Sequence, residues 1–238
     1  TTTPSGELIA AGNFMTAGGV TVNRIARWST ATNQWAPLGT GMVGAVVTSL
    51  ATLPTGELIA AGDFIIAGGI VVYSIARWNP ASQQWSPLGS GLNGKANALS
   101  VLASGEVVAA GQFTRAGGVM VSNVARWNPA NGQWAPVGVG TNGVVNALTV
   151  LPSGELVAAG NFSAAGGVGA SRVARWNPAT GQWAPLGTGI NSDVNALTVL
   201  VSGELVAAGL FTTAGGVSVS NIARWNPANG QWAPLGLG

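Results

Sequence analysis

Acid–base or nucleophilic chemistry in this chain would have to come from seven carboxylates, because its 238 residues include neither Cys nor His. Without thiols or imidazoles there is no thiolate nucleophile, no zinc–sulfur site, no disulfide and no ready base to activate a hydroxyl. Five of the acids recur at equivalent places, Glu7, Glu57, Glu106, Glu155 and Glu204, each followed twenty residues later by an arginine, Arg27, Arg77, Arg126, Arg175 and Arg224. A pair present in every copy of a repeat stabilises every copy rather than building one asymmetric catalytic centre. Asp63 and Asp193 remain. A glycoside hydrolase places two acids on either side of the bond it cleaves, so a hydrolase reading requires one of these two to line a cleft with another carboxylate. No calcium loop of clustered aspartates occurs either. The chain is therefore read as a non-enzyme, with no catalytic residue, no cofactor and no metal assigned.

Two further features invite a ligand. Three stretches match G-x-G-x-x-G, at Gly39 to Gly44, Gly89 to Gly94 and Gly138 to Gly143. In a dinucleotide site that spacing works because a strand feeds a helix whose N-terminus holds the pyrophosphate. Here it falls between two strands at the junction of repeats, where a flexible linker is expected. The ten Trp could stack on sugars, but their even recurrence assigns them to packing between blades. A formal charge of +2 with a single lysine and no basic run provides no footprint for nucleic acid. The apolar stretch from Leu58 to Ala76, broken only by Asp63, Tyr73 and Ser74, is long enough to span a bilayer, yet its equivalents are more polar. It is read as a buried hairpin, without membrane insertion.

The elements that position these residues come from a repeat. Gly-Glu recurs at Gly6, Gly56, Gly105, Gly154 and Gly203, in steps of 50, 49, 49 and 49 residues. Each copy holds four short apolar segments separated by turn signals, with no helical period sustained. In the fourth copy the strands are expected at about 144–151, 155–162, 171–177 and 182–187, reversing at Pro-Ser-Gly, Ala-Ala-Gly-Gly and Pro-Ala-Thr-Gly. Leu156 to Gly160 is apolar on both faces, so both faces of its sheet should be covered, as in a propeller. The expected fold is all-β: one five-bladed β-propeller of four-stranded antiparallel blades from five tandem repeats, approximately 1–42, 43–91, 92–140, 141–189 and 190–238. Each Glu is expected directly opposite its Arg, and the pairs Trp28/Trp35, Trp78/Trp85, Trp127/Trp134, Trp176/Trp183 and Trp225/Trp232 across the outer hairpin. Eight residues equivalent to Ile190–Leu197 have no counterpart before Thr1, so either the first blade is one strand short or the polypeptide continues.

The run Ala174-Arg175-Trp176-Asn177-Pro178-Ala179-Thr180-Gly181-Gln182-Trp183, after a Gly-terminated apolar strand, resembles the kelch repeat, although Ala158-Ala159-Gly160 stands where kelch usually has Gly-Gly. It is similar still more closely to the kelch-related repeats of large cell-surface proteins of the Rax2 type. The five-unit layout is also similar to the lectin tachylectin-2, without its sugar-site motif. These resemblances imply a propeller, and propellers host many unrelated functions.

The functional expectation is a non-enzymatic binding or scaffold module, a monomer forming part of a larger surface or envelope protein, with an unidentified protein or glycan as partner. The alternative is a carbohydrate-binding lectin with repeated weak sites between blades. Differences between repeats nominate the contact residues: the position before Phe (Asn13, Asp63, Gln112, Asn161) and the variable hairpins (Tyr73, Arg115, Arg172).

Overall fold

The third repeat shows how the turn signals become a sheet. The computed structural model describes residues 1–236; Leu237 and Gly238, which the repeat sets against Thr188 and Gly189, lie outside the described residues. An inner strand (Lys95–Val101), a second (Val107–Gln112), a third (Val124–Asn128) and an outer strand (Gln133–Pro136) pair antiparallel in chain order. The outer reversal is set by Asn128, whose side-chain oxygen accepts the Ala130 N–H at 2.8 Å and so replaces a backbone turn bond. Between the second and third strands a short ribbon, Arg115–Ala116 with Val119–Met120, turns at Gly117 and Gly118. Both glycines have positive φ, 57° and 85°, as a two-residue hairpin turn requires.

The same meander recurs along the chain. The second blade comprises Met42–Thr52, Leu58–Ala67, Ile75–Asn79 and Gln84–Pro87; the fourth, Val144–Val150, Leu156–Asn161, Val173–Asn177 and Gln182–Pro185. The fifth comprises Val194–Val199, Leu205–Gly209, Ile222–Asn226 and Gln231–Pro234. In the first blade only Leu8–Ala11, Ile25–Ser29 and Gln34–Pro37 form the sheet, while Thr2 bridges Leu8 as a stub of the inner strand. Within the described residues its sheet has three strands. The described residues contain no helix, and the apolar stretch from Leu58 to Ala76 folds into strands of the second blade.

Packing lies between the sheets, in four hydrophobic clusters that each bridge two consecutive blades. Alternation along the second strand divides its side chains between neighbours. Leu58 and Ala60 pack toward the first blade, whereas Ile59 and Ala61 pack toward the third. A polar latch crosses each of these boundaries. The indole N–H of Trp85 donates to the carbonyl of Leu38, Trp134 to Leu88, Trp183 to Val137 and Trp232 to Leu186, at 2.8–3.0 Å. Near the inner edge, β-bulges displace Asn97 and Asn146 from the ladder, and their amides donate to Val145 and Val194 of the following blade.

Trp127 faces Trp134 directly, with ring centroids 5.5 Å apart, and the other tryptophan pairs share this register. The Glu–Arg pairs differ from expectation. Arg27 is opposite Ile9, Arg126 opposite Val108 and Arg175 opposite Val157, so each Glu reaches its Arg diagonally, at 3.3–3.6 Å. The reason is that the reversal centres one residue later than the spacing implies, on the Gly-Gly turn. Ring closure is also absent from these contacts: among the described residues no strand pairing or backbone hydrogen bond joins the first blade to the fifth. Leu8 is consequently 43% exposed where its equivalent Leu58 is 1% exposed.

Replacing Trp134 by Phe keeps most of the packing but leaves the Leu88 carbonyl without its donor; urea titration should show a loss of about 1–3 kcal/mol. The hairpin glycines should separate by sterics. A Cβ on Gly117 would collide with the Trp134 ring, whereas one on Gly118 meets nothing within 4 Å, so Gly117→Ala should lower the melting temperature several degrees more than Gly118→Ala.

Candidate rim groove between the second and third blades

The fold neutralises nearly all of its charge. Six ion pairs join the five repeat glutamates to their arginines and Asp193 to Arg172. Arg24 is held by the backbone carbonyls of Ala45 and Met42 at 2.9 and 3.3 Å. Among the described residues the charged side chains left without a counter-ion are Arg24, Asp63, Lys95 and Arg115, and the last three line the same groove of about 560 Å³.

Topology brings them there. Asp63 stands midway along the second strand of the second blade, where it pairs with Val46. Lys95 opens the inner strand of the third blade, opposite Gln112. Arg115 is carried by the short ribbon of that third blade and donates to the Gly118 carbonyl at 3.3 Å. Tyr73, 52% exposed, adds an aromatic wall, and Ser90 and Asn93 come from the segment linking the two blades. Tyr73 and Ser74 both have left-handed backbone, at φ 48° and 67°, an uncommon conformation for such residues. Their hairpin holds it because Ser74 N–H donates to Phe64 and the Tyr73 carbonyl accepts from Leu92.

The linker is pinned rather than flexible. Leu92 N–H donates to Tyr73 at 3.0 Å, Asn93 N–H to Arg115 at 3.2 Å, and Gly117 N–H reaches back to Gly91 at 2.8 Å. The Asn93 side-chain oxygen accepts the N–H groups of Thr114 and Arg115 at 2.9 and 2.8 Å, and its amide donates to the Thr114 hydroxyl. These bonds explain G-x-G-x-x-G without a nucleotide. A Cβ on Gly91 would strike the Tyr73 carbonyl and one on Gly94 the Gln112 carbonyl, so the glycines permit close passage of backbone between two hairpins.

Other boundaries are satisfied internally. Between the fourth and fifth blades, Arg172 pairs with Asp193 at 3.7 Å and the Asn161 amide donates to the same carboxylate at 3.2 Å. The equivalent positions between the third and fourth blades are the uncharged Gln112, Asn123 and Val144. Eight of the Trp, from Trp78 onward, are buried between or within blades. Arg126 lies over the Trp176 ring, 5.7 Å from its centroid.

The model of the Rax2 C-terminal beta propeller domain matches the chain in overlapping stretches, residues 1–104, 40–141, 70–199 and 135–236. The chain belongs to this family. A search of curated proteins finds no match. A β-propeller domain of the Rax2 type suggests a binding or scaffold module, and in this one the nominated contact residues fall into separate groups. Asp63, Tyr73 and Arg115 meet in the groove. Asn161 and Arg172 belong instead to the internally satisfied cluster around Asp193. Asn13 and Gln112 are exposed at equivalent rim positions without joining either group. Lys95, Ser90 and Asn93 were missed from the sequence, although Lys95 stands where the other copies have Val46, Val144 and Asp193 and so is visible as a departure from the repeat. The groove contains one carboxylate, and Asp193 faces Arg172 rather than a second acid, so the two-acid arrangement required by the hydrolase reading is not assembled there.

Removing the Asn93 side chain should free the Arg115 ribbon. Asn93→Ala is expected to lower stability by about 1 kcal/mol and to speed hydrogen exchange at Thr114 and Arg115, measured by amide exchange.

Proposed function

We propose that this Rax2-type propeller is a non-enzymatic binding module, the ligand-facing part of a larger surface or envelope protein, and that its ligand enters the groove between the second and third blades. One observation carries the reading: three of the four charged side chains without a counter-ion converge on a single groove, while the fourth, Arg24, is held by two backbone carbonyls. Uncompensated charge is favourable only while solvated, so groups held close together at a rigid rim are available to a ligand that supplies counter-charges and hydrogen bonds.

The arrangement favours one specialised site over five weak equivalent ones. Repeated lectin sites would need charged or aromatic ligand groups free at every boundary, yet the recurring tryptophans from Trp78 onward are buried and the recurring Glu and Arg side chains are paired. The groups that stay exposed and unpaired differ at each boundary.

The test compares the wild-type chain with the triple variant Asp63→Asn/Lys95→Gln/Arg115→Gln on glycan and peptide arrays. A ligand retained by the wild type and lost from the variant supports the groove. Equal binding by both proteins would place recognition elsewhere on the rim and overturn the assignment.

A further inference from the structure

The lining of the groove also selects among ligand classes, given that the groove is the binding surface proposed above. We infer that it takes an acidic sugar, a monosaccharide unit carrying a carboxylate, such as a hexuronate. Lys95 and Arg115 outnumber Asp63, so the lining has a net positive charge and favours a ligand with one negative group. Arg115 provides the planar fork that matches a carboxylate, and Lys95 a second, mobile cation. Asp63 opposes a densely anionic ligand such as a phosphate or sulfate cluster. Its two oxygens instead accept from neighbouring hydroxyls, which carry no charge. The exposed Tyr73 ring provides an apolar face with a polar edge, suited to the C–H face of a pyranose. A volume of about 560 Å³ accommodates one or a few sugar units in an open, solvent-facing groove.

A peptide fits less well. Extended peptides are held by free main-chain groups, and here the N–H groups of Gly91, Leu92 and Asn93 are all donated within the fold, to Leu88, Tyr73 and Arg115. The groove offers side chains rather than a backbone edge. A free ammonium group would gain from Asp63 but would meet two cations on the same lining.

The experiment titrates methyl β-glucuronide and its neutral counterpart methyl β-glucoside into the intact chain, reading chemical shifts or heat, with an acetylated tripeptide bearing a free C-terminal carboxylate as the third probe. The glucuronide should saturate at millimolar concentration, with the glucoside at least about tenfold weaker. Lys95→Gln and Arg115→Gln should each weaken the glucuronide by about three- to tenfold while leaving the glucoside unchanged. Asp63, Lys95 and Arg115 are exposed, so these variants keep the fold, which a thermal melt verifies. Equal binding of glucuronide and glucoside, or no glucuronide binding up to about 50 mM, overturns the acidic-sugar assignment. If the tripeptide binds more tightly and the binding disappears with Arg115→Gln, the groove stands and the ligand class falls. If glucuronide binding survives the triple neutralisation, the groove itself is excluded as the site.

Discussion

The hydrogen bond from the second tryptophan of each outer hairpin to the carbonyl that ends the preceding blade is the interaction on which the rest of this structure depends. Trp85, Trp134, Trp183 and Trp232 each make it while buried. Burial of an indole contributes a large apolar area, and its N–H must find an acceptor in that setting. The acceptor available is the chain about to cross between blades. One side chain therefore fixes the distance between sheets and the start of the linker at once. The hairpin glycine, such as Gly117 against Trp134, leaves the room the ring needs. Once the sheets are held in this way, their alternating apolar faces form four similar cores instead of one central core.

The same economy governs charge. With so few ionisable groups, the fold places each repeat glutamate diagonally against its arginine, where partial exposure limits the pair to under about 1 kcal/mol. These pairs contribute little energy, but they leave few charges for a ligand. Repetition thus acts as an internal reference: a charge that recurs belongs to the scaffold, and one that appears once and has no partner marks a place where the scaffold has been modified. Asp63, Lys95 and Arg115 meet that criterion and share a groove whose backbone is pinned from both sides. Asp193 appears once as well, but Arg172 and Asn161 satisfy it, which separates structural divergence from a candidate site.

Much of this is legible in the amino-acid sequence. Gly-Glu spacing, the turn residues and the facing tryptophans specify the antiparallel meander, because strand period and turn chemistry are local properties. The Glu–Arg register was read two positions off, since the bond geometry of the Gly-Gly ribbon sets the centre of the hairpin and spacing alone does not. The linker was read as flexible because its glycines suggest freedom. In the folded chain they serve close backbone contact, as Gly91 beside Tyr73 shows. Asp63, Tyr73 and Arg115 were nominated by their variation between copies, whereas Lys95 was not, although its departure from the repeat was present in the same alignment. What sequence could not supply was pairing. Asn161 and Arg172 also stand at variable positions, and their spatial partner Asp193 shows that they belong to an internally satisfied cluster.

The most direct test of the account is the denaturant stability of the chain after neutralising Asp63, Lys95 and Arg115 together, set beside the chain with Glu106 and Arg126 neutralised. If the three unpaired charges serve a ligand and not the fold, the triple variant should match the wild type within about 0.5 kcal/mol or exceed it, while the paired variant loses a little. A loss above about 1 kcal/mol from the triple variant would show these charges to be part of the scaffold and would contradict the central claim.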